Sequence, residues 1–340
     1  MFKLINIKNF NYQFKGNLFY SKKWIEVLKG EYDFDFYVVV SSSQTEKPIF
    51  VFVQLADIFG KRILSLPFSD YTEPLVQTEN ELCEILNFLK ESYKNHAITI
   101  KYHGIIDESK INDYKNIRQA LCHRVFLDNN SDMIWQKTSR AFKKGVKKAK
   151  KHKLYVKKYN CSDGIAIFHQ MLTDLRRNKL HILPQPKSYY MRMYDNFICQ
   201  EKGNLWMTFM DNKPIAAAIL LHSGEAMFDK MGVSDSKYLE YRPNNILLWE
   251  IMKYGQSNGF KYLDMGLTPS GNEGLMRFKD SLGGKKTPIN YYRYLPLNYN
   301  YQQEEDMKNV LTKVTKLFVK SVVPDEIVQE AGSLLYQYFA

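Results

Sequence analysis

The sequence is poor in the residues that build redox and metal sites. Only four of its 340 residues are cysteine, Cys83, Cys122, Cys161 and Cys199, and they stand apart from one another. None forms a C-x-x-C pair and no histidine cluster lies beside them. That argues against a metal site or a disulfide framework, and for reduced thiols in a cytosol. Long apolar runs are also missing. The longest aliphatic stretch, Ala216 to Leu221, is far too short to span a bilayer, and the opening MFKLINIKNFNYQF lacks the apolar core of a signal peptide. There is no G-x-S-x-G elbow and no evident Ser-His-Asp or Cys-His motif. Nothing signals a flavin or a nicotinamide, and no bound cofactor is expected.

One further absence is local. Between Lys137 and Lys158 there is no acidic residue, while eleven Lys and Arg crowd the same segment; the rest of the chain holds 37 basic against 36 acidic residues and is nearly neutral. The net charge of +12 therefore belongs to one surface, which suits a polyanion. The apolar fraction of 45% and the 14% aromatics are ample for packed cores, and the length favours two domains.

Both halves read as alternating strands and helices. In the first, 36–40, 49–53 and 63–66 are β-branched and aromatic strands, 79–93 has helical apolar spacing, and 97–102 is a strand. The polar turn Asp128-Asn129-Asn130-Ser131-Asp132 marks a boundary near residue 130. A basic helix over 133–152 follows, with Trp135, Phe142, Val146 and Ala149 as one apolar stripe and Gly145 as a point of bending or fraying. Then come helices at 165–175 and 188–198, strands at 205–210, 214–222 and 226–231, a helix at 244–254, and strands at 262–264 and 290–294. Two helices close the chain. The halves share an order of elements, as a diverged duplication would.

Several stretches carry a family resemblance. They are Arg140-x-x-x-Lys144-x-x-Lys147-Lys148-Ala149, Thr173-x-x-Arg176 before Pro184-x-Pro186, Tyr241-Arg242-Pro243-Asn244-Asn245, Tyr262-Leu263-Asp264-Met265-Gly266, and Gly274-Leu275-x-Arg277-Phe278-Lys279-x-x-x-Gly283, with Leu66-Pro67-Phe68-Ser69-Asp70-Tyr71 in the first half. In this order and spacing they resemble the FemABX-related, tandem GNAT-like acyltransferases over roughly residues 15 to 295. The resemblance implies an α/β fold with mixed sheets: a GNAT-like domain over 1–130, a GNAT-like acyltransferase domain over 131–300, a helical tail over 301–340, and a cleft between the two domains. It further implies transfer of an acyl or aminoacyl group to an amine or hydroxyl of a cell-envelope (peptidoglycan) or polysaccharide precursor. The donor is a co-substrate, aminoacyl-tRNA or acyl-CoA. The R/Q-x-x-G-x-G/A loop of acetyl-CoA-using relatives is absent, and Arg242-Pro-Asn-Asn takes its place, which leans towards aminoacyl-tRNA. A cytoplasmic enzyme, peripheral at the inner membrane face, is the expectation.

Direct acyl transfer needs orientation and an oxyanion site more than reactive side chains. Lys279 is the first catalytic candidate, to hold a phosphate or polarise the carbonyl; the plain alternative is a solvated helix lysine. Asp264 ends a strand where ligand-facing residues sit in open α/β sheets, and is either a base or the cap of a turn. Asp229, mid-strand beside Lys230, is a weaker candidate base. Phe278 either stacks on substrate or fills the core. Arg242, with Asn244 and Asn245, precedes a helix start that would hold an anion, unless an asparagine simply caps it. Arg176 or Arg177 would bind an acceptor phosphate, against the default of a surface ion pair, and Asp70 and Tyr71 either line the cleft from the first domain or, the commoner case, form an ordinary turn. Arg140, Lys143, Lys144, Lys147 and Lys148 form the polyanion face, for tRNA or anionic headgroups. The rival class is a non-catalytic RNA- or anionic-membrane-binding module on a GNAT-like fold.

Overall fold

The computed structural model describes residues 2–9, 17–42, 47–111, 113–127 and 130–340. In chain order the elements are β1 (Phe2–Asn6), α1 (Lys22–Glu31), β2 (Asp35–Ser41), β3 (Pro48–Asp57), β4 (Gly60–Ser65), α2 (Glu79–Ser92), β5 (Ala97–His103) and β6 (Tyr114–Phe126). There follow α3 (Ser131–Lys137), α4 (Arg140–Lys151), β7 (Tyr155–Lys158), α5 (Ser162–Asp174), α6 (Lys187–Met193), β8 (Gly203–Met210), β9 (Lys213–Ser223) and β10 (Ala226–Ser234). The remainder is α7 (Pro243–Ser257), β11 (Tyr262–Pro269), α8 (Glu273–Asp280), β12 (Lys285–Tyr294), α9 (Tyr301–Phe318) and α10 (Asp325–Leu335). This is the mixed α/β architecture expected.

Two compact units divide the chain. The first takes residues 1–121 and 287–314, the second 122–286 and 315–339. The division falls within β6, and the turn near residue 130 lies inside the second unit; Asp128 and Asn129 of that turn are outside the described residues.

In the first unit β1, β2, β3 and β4 run antiparallel in succession, and β5 joins β4 in parallel through only three pairs, Arg62 with Ala97, Ile63 with Ile98 and Leu64 with Thr99. The crossover between them is α2. Its Thr78 hydroxyl accepts from Glu81 N, and the Glu81 carboxylate accepts from Gln77 N, a reciprocal cap. Leu82, Ile85, Leu86 and Leu89 make its buried stripe. β12 returns antiparallel on β5.

The second unit repeats that order. β7, β8, β9 and β10 are antiparallel, α7 crosses over, and β11 joins β10 in parallel through Ala226–Tyr262, Met227–Leu263 and Phe228–Asp264 alone. A bulge between Asp229 and Met231 bends β10 just where that pairing ends. α7 is apolar nearly all round, with Ile246, Leu247, Leu248, Trp249, Ile251 and Met252 buried, so it is the core helix of this unit.

Three expectations change in the second unit. The basic helix is two helices: Thr138 and Ser139 break it, and the Ser139 hydroxyl starts α4 by accepting from Phe142 N at 3.1 Å. The helices at 165–175 and 188–198 end in wider turns, with π-helical geometry over Leu175–Leu180 and Tyr194–Ile198. Gly145 neither bends nor frays α4. It is buried against α7, where a Cβ would stand 2.5 Å from Asn245 Nδ2, so the glycine permits a close helix–helix approach.

Candidate active site

The basic segment shapes one wall of the site. α4 buries Phe142, Gly145, Val146 and Ala149, spaced as one helical stripe, and turns Arg140, Lys144, Lys147, Lys148, Lys150 and Lys151 outward. Lys143 folds back and donates to Gln136 O at 3.1 Å.

α7 supplies the second wall. Its N-cap is Arg242, held in the left-handed region at φ 63°, with Pro243 at the first turn and no side chain capping the helix. Neither asparagine caps it: Asn244 Nδ2 donates to Ser234 Oγ at 3.2 Å, and Asn245 faces Gly145. The positive end of a 15-residue helix is thus left to an outside acceptor.

α8 supplies the third. Asn272 caps it by accepting from Leu275 N at 3.2 Å. Phe278 is half-buried against the core of this unit, and Arg277 makes an exposed pair with Glu273 at 3.1 Å. Gly283, the last residue of the signature, sits at φ 80°, and a Cβ there would lie 2.5 Å from Lys137 O. That glycine is required by backbone geometry and packing.

These walls enclose a cavity of about 420 Å³ lined by Lys144, Lys148, Arg242, Asn245, Arg277 and Phe278, among others. Four cations meet in it. Five of the residues singled out from the sequence come together there: Lys144, Lys148, Arg242, Asn245 and Phe278. Arg140, Lys143, Lys147 and Asn244 are not on its lining.

Lys279 turns the other way. It is 5% exposed and donates to Gly266 O and Leu267 O at 3.2 and 3.1 Å. It is therefore no solvated lysine. It ties α8 to the β11 carbonyls just beyond the last β10–β11 pair.

Asp264 is fully buried. Its carboxylate accepts from Arg124 Nε at 2.8 Å, from Gly266 N at 2.9 Å and from the Cys122 thiol at 3.6 Å. The geometry makes it an anchor between β6 and β11 rather than a base facing substrate. Asp229 sits at the β10 bulge, half-buried beside Lys230.

Arg176 and Arg177 are corrected more plainly. Arg177 donates to Lys320 O at 2.6 Å, to Val323 O and to Asp325, while Arg176 donates to Tyr336 at 2.7 Å and to Leu183 O at 3.3 Å. Both hold the C-terminal segment of this unit, and neither is presented to a phosphate. In the first unit, Tyr71 is buried edge-on to Phe19 and stacked near His103, a packing role, with Asp70 half-buried next to it.

Two residues escaped the sequence reading. Arg124 is the partner of Asp264, 140 positions away. His123, on the same strand, is buried with Nε2 3.3 Å from Asp280 Oδ1. Burial, and then the positive charge of Lys279, push the imidazole below its ordinary range, so it is neutral at neutral pH.

Comparison with known proteins bears on this arrangement. Residues 136–280 match the family model described as an acetyltransferase (GNAT) domain. Among solved structures, FemX is similar at 16% identity and a TM-score of 0.62, over 88% of this chain and 95% of that one. L-PGS from Bacillus licheniformis is similar at 11% identity and a TM-score of 0.55, over 90% of this chain and 99% of that one. The C-terminal domain of a putative lysylphosphatidylglycerol synthetase from Agrobacterium fabrum is similar at 11% identity and a TM-score of 0.52, over 77% of this chain and 85% of that one. At these identities the likeness is one of fold. No curated protein sequence matches this one.

Proposed function

We propose that this chain, whose residues 136–280 match an acetyltransferase (GNAT) domain and whose fold is like that of FemX, transfers an aminoacyl group from aminoacyl-tRNA to an amine or hydroxyl of a cell-envelope or polysaccharide precursor. The observation that carries this reading is the cationic cavity at the start of α7. Lys144, Lys148 and Arg242 converge with the uncapped helix end on a volume of about 420 Å³, which suits a donor phosphate. The remaining cations of α4 continue outside the cavity, as a phosphate backbone longer than one diphosphate would require.

The chemistry asks little of the protein. The acceptor nitrogen or oxygen attacks the ester carbonyl, the bond to the ribose oxygen breaks, and the acceptor's proton ends on that oxygen. Catalysis rests on alignment and on stabilising the oxyanion. Gly266 and Leu267 lie beyond the point where β10 and β11 part, and Lys279 fixes their carbonyls.

The test is binding of labelled total tRNA against acetyl-CoA by the purified protein at two salt concentrations. tRNA binding that weakens with a log–log salt slope of about −5 to −6, as contacts from the cavity cations and the rest of α4 would give, and a slope reduced by about 1 per cation in K144A, K148A and R242A, supports the reading. Saturable acetyl-CoA binding with negligible tRNA binding would replace the donor with acyl-CoA.

A further inference from the structure

We propose that the first unit carries a second, separate binding site, for an anionic saccharide. A cavity of about 630 Å³ opens where the β3–β4 turn, the α2–β5 turn and the chain between β12 and α9 come together. Lys61, Lys94, Asn95, Tyr294, Asn298 and Gln303 carry its recognition chemistry.

The wall is rigid before any ligand arrives. Tyr299 donates to Glu304 Oε2 at 2.5 Å, with its hydroxyl also 3.2 Å from Phe59 O; Arg293 and Lys308 donate to the same carboxylate at 2.5 and 2.7 Å. Glu304 is 3% exposed, and burial opposes its ionisation, yet these three donors outweigh that and bring it down to about 2. The segment from Pro296 to Asn300 is thereby pinned to the β3–β4 turn, as a preorganised site requires.

The lining sets the ligand class. It holds two lysines and no carboxylate, so it favours an anion. The ion pair of Lys94 with Glu91 spans 3.8 Å between exposed groups and competes weakly. The carboxamides of Asn95 and Asn298 each set a donor beside an acceptor, which matches neighbouring hydroxyls of a pyranose, while Gln303, whose Oε1 accepts from Asn300 Nδ2 at 3.4 Å, offers its amide donor. Asn300 is already committed, since its Oδ1 caps α9 by accepting from Gln303 N at 3.0 Å. Tyr294 offers a ring to the apolar face of a sugar. The volume is that of an ordinary small-ligand site.

The site is distinct from the loop bearing Asp70 and Tyr71. That loop follows the end of β4, and the cavity lies at its beginning, a separation of about 20 Å along the strand. The proposal does not rest on the identity of the acyl donor.

Saturation-transfer difference NMR on the full chain tests it, with glucose 1-phosphate, glucuronate, glucose and inorganic phosphate as probes. Saturation transfer to both anionic sugars is expected, with a Kd on the order of 0.1–1 mM. Glucose binds at least tenfold more weakly, and inorganic phosphate displaces the sugar phosphate poorly. K61E/K94E, both exposed positions, weakens binding more than tenfold, and N298A weakens it severalfold without altering the thermal melt. Absence of transfer to either anionic sugar overturns the proposal. So does phosphate competing as well as glucose 1-phosphate, which would mean an anion site alone. Unchanged affinity in the variants, once shown folded, overturns it equally.

Discussion

Gly145 offers a quantitative test of how α4 and α7 define the cationic cavity. An added Cβ would lie 2.5, 2.6 and 3.0 Å from Nδ2, Cγ and Oδ1 of Asn245. Two terms then oppose each other in Gly145→Ala. Replacing glycine inside a helix contributes about 1 kcal/mol. Displacing the Asn245 carboxamide from a packed contact costs about 1–3 kcal/mol. The single variant is therefore neutral to about 2 kcal/mol less stable. In an Asn245→Ala background the obstacle is gone, and the same change should stabilise by about 1 kcal/mol. The coupling between the two positions is then about 1–3 kcal/mol. Urea unfolding followed by tryptophan fluorescence reads it, because Trp135, Trp206 and Trp249 all report on the second unit, the first and last being 4.7 Å apart. The single variant should also lose affinity for polyanions, since Asn245 lines the cavity. An equal effect of Gly145→Ala in both backgrounds would refute the packing argument.

Two further outcomes follow from groups held inside the second unit. Asp264→Ala removes the buried acceptor of Arg124 and of Gly266 N and, with Arg124 itself 30% exposed, should cost about 1–3 kcal/mol; thermal melts check it, and a variant as stable as the parent would return Asp264 to the list of candidate bases. His222, packed on Phe260 at 4.8 Å, is brought down to about 4 by burial and then by Lys158 and Lys202. The unfolded chain binds a proton near pH 6.5 and the folded one near 4, so stability is lost as pH falls between those values, by up to about 3 kcal/mol. His222→Phe should flatten that part of the stability–pH curve, as measured by urea midpoints at pH 7, 5.5 and 4.5.

What could be read from the sequence was local. The strands β8 to β11, the basic segment and the start near Asn244 all carry short-range patterns, and each begins within a few residues of its expected place; β7, four residues inside the basic segment, was not expected. The break at Thr138-Ser139 was missed because the apolar stripe of Trp135, Phe142, Val146 and Ala149 reads on across it without a glycine or proline to mark the stop. The first half of β6 carries no strand signal, since Lys115, Asn116, Ile117, Arg118 and Gln119 are all exposed and show no alternation. The errors at Asp264, Arg176 and Arg177 have one cause. Their partners lie about 140 to 160 positions away, and a charge at a suggestive place in a motif looks the same whether a distant residue neutralises it or not.

The repeated order of elements sharpens the functional argument. Both units cross from an antiparallel strand to a parallel one through a helix, α2 in the first and α7 in the second, and both parallel ladders stop after three pairs. The start of that helix is the same place in each fold, yet its chemistry is opposite. α2 is closed by Thr78 and carries Glu79 and Glu81 in its first turn. Those carboxylates occupy the positive helix end and repel any other anion. α7 has no side-chain cap and no acidic residue in its first turn; it begins at Arg242 and faces Lys144 and Lys148. With the same order of elements, only α7 of the two crossover helices leaves its start without a side-chain cap or an acidic residue. The first unit's helix fills its own positive end, and the cationic cavity of that unit lies elsewhere, at the β3–β4 turn.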